Sequence, residues 1–82
     1  MVSPAINQPP KLEDVVSTDP NRLGGEPVFK GTRVPVRSLF TYLRKGISLQ
    51  QFLDDFEGVQ PQQVHALLQL AETGIIRRAS EG

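Results

Sequence analysis

Glycine and proline are concentrated in one short segment, which restricts the possible folds of this chain more than any other feature. Residues 24–36 read GGEPVFKGTRVPV and contain three glycines and two prolines. Apolar and polar side chains alternate within this segment, a pattern typical of a short strand bounded by turns. From Pro35 onward the apolar residues recur at helical spacing instead. The sequence therefore predicts a short β-ribbon followed by helices.

Three helices are predicted after the ribbon, at about residues 35–45, 48–57 and 61–73. Apolar residues at positions i, i+3, i+4 and i+7 place one stripe on each helix toward the core. Gly46, Gly58 and Gly74 follow the helices and can end them, and Ser48 with Gln51 has the spacing of a capping box. The predicted stripes are Val36, Leu39, Phe40 and Leu43; Leu49, Phe52, Leu53 and Phe56; and Val64, Leu67, Leu68 and Ala71.

The predicted fold is mostly α, with a short N-terminal β-ribbon (residues 15–34) followed by a three-helix helix-turn-helix-like bundle, in one domain over residues 14–74. Residues 1–13 are rich in proline and poor in large apolar side chains, so we expect a disordered arm. Residues 75–82 are expected to form a flexible tail. Because an isolated two-stranded ribbon is marginal in water, we favour strand pairing across a homodimer, although pairing within one chain remains open.

The composition excludes several classes of function. The chain has no cysteine and one histidine, His65, so disulfides and thiolate or multi-histidine zinc sites are excluded. No Ser-His-Asp grouping, carboxylate pair or phosphate-binding loop is recognisable, so we expect a non-enzymatic protein without a cofactor. No apolar run approaches the roughly 18–20 residues that span a bilayer, and no signal-peptide pattern is present. We therefore expect a cytoplasmic protein that does not bind membranes.

Charge is distributed unevenly along the chain although the net charge is zero. Residues 22–46 carry six basic residues and one acid, Glu26, whereas residues 47–72 carry four acids and no lysine or arginine. Such a polarity suits a charged partner or association between complementary halves. Two solvated faces that happen to segregate would give the same pattern, so this alternative stays open.

The second and third predicted helices, joined by a short turn at residues 57–60, match the arrangement of a helix-turn-helix unit. The third helix would then read DNA, but it lacks lysine and arginine, so phosphate contacts must come from the basic half. Simple packing of three helices, without DNA contact by the third helix, is the stronger explanation of the pattern. The candidate DNA-binding residues are Arg33, Arg37, Arg44 and Lys45 for phosphate, and Gln62, Ala66 and Gln69 for bases.

One set of residues is spread over residues 18–72: Asp19-Pro20, Gly25, Pro27, Gly31-Thr32-Arg33, Pro35-Val36, Gly46 and Asp55-Phe56. With these residues the segment resembles a small prokaryotic family catalogued as domain of unknown function four-three-three, which is grouped with antitoxins of the VapB kind. The resemblance covers about two-thirds of the chain. Family members commonly carry acidic residues at the start of the third helix, where this chain has Gln62 and Gln63.

The resemblance implies a dimer-forming, helix-turn-helix-like antitoxin, for which the expected partners are a PIN-like ribonuclease toxin and operator DNA. For toxin contact we favour the apolar and basic tail, because it suits the carboxylate-lined site of a metal-dependent nuclease. The alternatives are a stand-alone DNA-binding transcriptional regulator and a structural protein-interaction dimer. The candidate partner-binding residues are Ile75, Ile76, Arg77 and Arg78.

Overall fold

The computed structural model describes residues 10–21 and 23–81. This part of the chain is mostly helical and contains one small antiparallel sheet, in agreement with the predicted fold class at that level. A short 3₁₀ turn, Leu23–Gly25, precedes the second strand. The elements, in chain order, are α1 (Leu12–Val15), β1 (Val16–Ser17), β2 (Val28–Phe29), α2 (Val36–Arg44), α3 (Leu49–Asp55) and α4 (Pro61–Glu81).

The two strands pair within one chain. Val16 lies opposite Phe29, and Ser17 lies opposite Val28. Just beyond the ladder, the Lys30 N–H donates to the Val15 carbonyl at 2.8 Å. The preference for pairing these strands across a dimer is therefore wrong.

A tight loop over residues 30–34, here called the basic loop, follows β2 in the second half of the predicted ribbon. Gly31 has a φ of 80°, a left-handed conformation that costs glycine little. The Thr32 hydroxyl donates to the Phe29 carbonyl at 2.8 Å and accepts from the Val34 N–H at 3.0 Å. The Phe29 N–H also donates to the Val34 carbonyl at 2.9 Å, which closes the loop.

The buried core of the described residues is apolar and draws on every helix. Aromatic side chains dominate its centre, and the rings of Tyr42 and Phe52 meet edge to face with centroids 5.3 Å apart, a favourable geometry for such rings. Leu43, predicted to be buried, is 37% exposed, because the larger Tyr42 ring fills the space facing α3. The buried residues are Val15, Phe29, Leu39, Phe52, Val59, Val64 and Leu67.

Most helix boundaries lie within two residues of the predicted ones. Pro35 has φ −63° and ψ 138° and is the N-cap of α2, so the helix begins one residue later than predicted. Ser48 caps α3 by accepting from the Gln51 N–H at 3.1 Å, which confirms this half of the capping box. Gly46 has a φ of 76° and follows α2 as a left-handed residue, as predicted.

The largest difference from the predicted fold is the length of α4. The helix continues through Gly74 to Glu81, so the predicted end at residue 73 is wrong, and residues 75–81 of the predicted tail are helical. A glycine inside a helix costs only about 1 kcal/mol relative to alanine, and the helix-favouring residues around it offset this. Residues 72–81, here called the projecting segment, are all exposed and extend about 15 Å along the helix axis.

The last residues of the predicted disordered arm are helical. Residues 1–9 lie outside the described residues, but Leu12 and Glu13 already belong to α1. Acidic side chains at Glu13 and Asp14 stand in the first turn of α1, where the helix dipole favours them. This single helical turn carries Val15 into the core and then leads into β1.

Candidate nucleic-acid and partner interface

The N-terminal half of α4 presents polar side chains to solvent. Gln62, His65 and Gln69 are all exposed and recur at positions that share one side of the helix. Ala66 is half-buried and packs against the core, so its predicted place on the outward face is wrong. The reason is that the core contacts α4 over a wide arc, which also includes Leu70.

Gln63 joins the start of α4 to the basic loop. Its side-chain Oε1 accepts from the Gln60 N–H at 2.9 Å, and its Nε2 donates to the Lys30 carbonyl at 3.0 Å. The Cγ2 of Thr32 lies 3.7 Å from the point where a side chain at Gly58 would begin, so the loop lies close to the turn before α4. The sequence gives no signal of this contact, because Gln63 and Lys30 are 33 residues apart.

The basic loop therefore brings positive charge to the beginning of α4. Arg33 lies in this loop and is exposed. Lys30 is exposed as well, and its Nζ donates to the Glu13 carbonyl at 3.3 Å. Sequence reasoning had named Arg33 but not Lys30 among the phosphate-binding candidates.

The remaining basic candidates belong to α2, which packs on α3. Arg37 pairs with Glu26 through a 2.6 Å contact from Nε to Oε2, although 76% of the Arg37 side chain stays exposed. Exposed pairs of this kind contribute at most about 1 kcal/mol, so an incoming phosphate can compete with Glu26. Arg44 and Lys45 are exposed at the end of α2, and the three side chains form a second basic region.

The acidic residues at the end of α3 have structural partners. Asp54 accepts from the Gln50 amide at 3.0 Å. Asp55 accepts from the Gln51 amide at 2.8 Å and from the Tyr42 hydroxyl at 2.7 Å. The hydrogen bond to Asp55 raises the pKa of Tyr42, with smaller contributions from desolvation and from the negative charge of Asp55. The bonds from Gln50 and Gln51 lie within α3, whereas the bond from Tyr42 to Asp55 joins α2 to α3.

The four partner-binding candidates lie on a helix, not on a flexible tail. Ile75 and Ile76 are 67% and 57% exposed, and Arg77 and Arg78 are exposed beside them. Gln69, Glu72, Thr73, Ile76 and Arg77 lie along one open face of this part of α4. The projecting segment thus exposes apolar and basic side chains together.

The part of the chain that the structure describes holds neither a cluster of metal ligands nor a membrane-spanning helix. Within residues 10–21 and 23–81, no group of three or more His, Asp or Glu side chains is placed to hold a metal ion. No described helix combines the length and the apolar character needed to cross a membrane.

Comparison with known proteins places the chain in a family. It is 30% identical over 64 residues to "Uncharacterized protein y4eO" of Sinorhizobium fredii, an alignment that covers 78% of this chain and 29% of that protein. The chain therefore spans less than a third of the relative's length. No solved structure matches it. A family described as "Protein of unknown function (DUF433)" matches residues 16–71, ending where the projecting segment begins. Since this match covers more than half of the sequence, the chain belongs to the DUF433 family.

Proposed function

We propose that this protein is a non-enzymatic, antitoxin-like regulator. It binds DNA through the start of α4 together with the basic loop, and it binds a PIN-like ribonuclease toxin through the projecting segment. The single observation that carries the DNA-binding half of this proposal is the Gln63 bridge, since it holds the basic loop beside the polar face of α4.

The arrangement of α2, α3 and α4 supports a helix-turn-helix-like interpretation with α4 as the reading helix. Gln62 and Gln69 expose amides that can form paired hydrogen bonds with adenine. The helix itself has no lysine or arginine before Arg77, and this was the main electrostatic objection to DNA binding. Arg33 and Lys30 answer it, because they supply cations beside the helix N-terminus, where backbone N–H groups already favour phosphate.

Binding to DNA is expected to be moderate and strongly dependent on salt. Few cations are available to each copy of the protein, and the acids Asp54, Asp55 and Glu57 on α3 and just after it repel phosphate. A homodimer would double the number of phosphate contacts, and we include homodimerisation in the proposal. Sedimentation at several protein concentrations measures it directly.

The DNA-binding role is tested with a duplex from the region upstream of the gene and with a mixed-sequence duplex of equal length. Arg33→Ala is expected to weaken binding to both duplexes and to reduce the slope of log K against log salt by about 1. Gln62→Ala is expected to reduce the preference for the upstream duplex. The matched control is Arg78→Ala, which removes the same charge from a residue about 24 Å from Gln62 along the axis of α4.

The outcomes separate the competing functions. If Arg33→Ala and Arg78→Ala weaken binding equally, the basic loop is not the phosphate contact. If the wild-type protein binds neither duplex at low salt, the DNA-binding role is wrong, and the structural protein-interaction dimer becomes the better interpretation. DNA binding without any protein complex would instead support a stand-alone transcriptional regulator.

The projecting segment supports the toxin-binding half of the proposal. A helix of this length is marginal in water when nothing packs against it, and Ile75 and Ile76 remain largely exposed. An amphipathic helix of this kind fits an apolar groove on a partner, and Arg77 and Arg78 favour a groove with acidic edges. The proposal thus replaces an extended tail that enters a nuclease site with a helix that docks in a groove.

Co-purification with the product of the neighbouring gene tests this second contact. Ile76→Asp is expected to abolish the complex, because a carboxylate would be buried among apolar groups and would face acidic edges. Gln62→Asp, which places the same charge on the other half of α4, is expected to leave the complex intact. Retention of the complex by Ile76→Asp would remove the projecting segment from the toxin interface.

A further inference from the structure

Two adjacent glutamines at the start of α4 have different environments. Gln62 is exposed, whereas Gln63 is half-buried and uses both ends of its amide. One end accepts from the Gln60 N–H at 2.9 Å and the other donates to the Lys30 carbonyl at 3.0 Å. Of the two neighbours, Gln63 is therefore the one engaged with another part of the fold.

We infer that Gln63 is a positioning residue that clamps the basic loop against the N-terminal end of α4. The side-chain oxygen caps the helix, because it satisfies the N–H of Gln60, which precedes the first helical residue. The side-chain nitrogen does a different job, since it holds the Lys30 peptide. A glutamine amide offers a donor and an acceptor at once, whereas a glutamate carboxylate offers acceptors alone.

The loop responds to this bond as a unit because its own hydrogen bonds keep it folded. Thr32 is bonded to Phe29 and Val34 on either side, so the loop moves as one piece. The Lys30 N–H fixes one side of the loop to the end of α1 through the Val15 carbonyl, and the Lys30 carbonyl fixes the other side to α4. Without Gln63, the hydrogen bond that joins the Lys30 carbonyl to the start of α4 would be lost.

For DNA binding the clamp sets the distance between the phosphate-binding side chain of Arg33 and the base-reading side chain of Gln62. This consequence rests on the proposed function, but the clamp itself does not. A loop released from α4 would still carry its charge, so binding would lose its fixed geometry while keeping its electrostatic attraction.

The deciding variant is Gln63→Glu, compared with Gln62→Glu as a control of equal charge. Glutamate at residue 63 can still accept from the Gln60 N–H and favours the helix N-terminus, but it cannot donate to Lys30. Amide hydrogen exchange at Thr32 and Val34 is expected to become faster by about tenfold in Gln63→Glu. Exchange in the first turn of α4 is expected to stay unchanged, and Gln62→Glu is expected to alter neither region.

If Gln63 only capped the helix, Gln63→Glu would leave amide exchange unchanged both in the basic loop and in the first turn of α4. Equal loop exchange in the two glutamate variants would therefore overturn the inference. Gln63→Met, which removes both hydrogen bonds without adding charge, provides a second measurement if the charged variant does not fold. It must also speed loop exchange relative to the wild-type protein, and an unchanged loop would again overturn the inference.

The DNA arm uses the mixed-sequence and upstream duplexes. Gln63→Glu is expected to lose more of the preference for the upstream duplex than Gln62→Glu does, because the loop and the reading face are no longer held together. In Gln62→Glu the other base-reading glutamine, Gln69, is still held beside the loop. If the wild-type protein binds neither duplex while the exchange results hold, the proposed function fails and the clamp stands. If both glutamate variants exchange alike while the wild-type protein binds DNA, the clamp fails, whereas DNA binding stands on its own measurement without the Gln63 bridge as its support.

Discussion

Tyr42 connects the aromatic core to the acidic end of α3. Its ring meets Phe52 at 5.3 Å and Phe56 at 5.7 Å between centroids, while its hydroxyl donates to Asp55. The pKa of Tyr42 is raised, first by this hydrogen bond, then by desolvation and by the negative charge of Asp55. One side chain therefore links apolar packing of α2 on α3 to a polar contact at the surface.

Tyr42 is the single tyrosine in a chain without tryptophan, so the near-ultraviolet absorbance of tyrosinate reports this group alone. We expect its titration midpoint to lie above the ordinary value of about 10. Asp55→Asn is expected to lower the midpoint toward that value, because it removes the negative charge and weakens the acceptor. Asp54→Asn, the neighbouring carboxylate without a described bond to Tyr42, is expected to leave the midpoint unchanged.

The sign of the accompanying stability change follows from the raised pKa. Between the unfolded and folded pKa values the unfolded chain has lost the tyrosine proton and the folded chain has kept it, so stability falls as pH rises. The contribution of this contact is complete below about pH 10 and is lost as pH rises through the folded pKa. An ordinary midpoint in the wild-type protein would show that the hydroxyl does not bond to Asp55 in solution.

At the scale of elements, the sequence predicted the positions of α2 and α3 well because their ends are marked locally. Ser48 offers its hydroxyl to a backbone N–H three residues away, and such a contact can be read directly from spacing. Gly46 and Gly74 show the limit of this reasoning. Both come after a predicted helical stripe, yet Gly46 is left-handed whereas Gly74 lies inside α4.

The residues on the C-terminal side of each glycine explain the difference. After Gly46 the chain must reach Ser48, the N-cap of α3, so the helix has to end. After Gly74 come residues that continue a helix, and no new cap interrupts them before Glu81. A glycine signal alone does not distinguish these two contexts, since its cost inside a helix is small compared with the gain from the surrounding residues.

The two glycines therefore make a matched pair for substitution by alanine. At each position a new Cβ would meet no atom within 4 Å, so the backbone conformation decides the sign. Gly74→Ala is expected to stabilise the helix locally by about 0.5–1 kcal/mol. Gly46→Ala is expected to lower the free energy of unfolding by about 1–2 kcal/mol, because alanine is strained at positive φ.

Urea unfolding measures the effect at Gly46. Amide exchange at Ile75 and Ile76 measures the effect at Gly74, where the local gain corresponds to slower exchange by about two- to fivefold. Faster exchange at these amides in Gly74→Ala would show that the helix does not continue through residue 74 in solution.

For the whole molecule, the local pattern predicted a mostly helical fold but not the contacts that assemble the candidate site. The family signature around Gly31 and Arg33 was recognisable, whereas the attachment of this loop to Gln63 depends on folding across 33 residues. Ala66 illustrates the same limit, because its burial depends on how many elements contact α4 and not on its position in the helical repeat. Long-range packing, unlike helix caps and turns, leaves little trace in neighbouring residues.

Removal of the residues after Gly74 tests whether the projecting segment contributes to partner binding without contributing to the stability of the fold. Residues 72–81 are exposed throughout, and the buried side chains of the described residues all lie between Val15 and Leu67. The shortened chain is therefore expected to unfold in urea with a free energy within about 0.5 kcal/mol of the full chain, while losing the complex with the neighbouring gene product. A larger loss of stability that depends on protein concentration would mean that the projecting segment packs in a homodimer, because association alone makes unfolding depend on concentration. A loss independent of concentration would place its packing within one chain, against the exposure observed for Ile75 and Ile76.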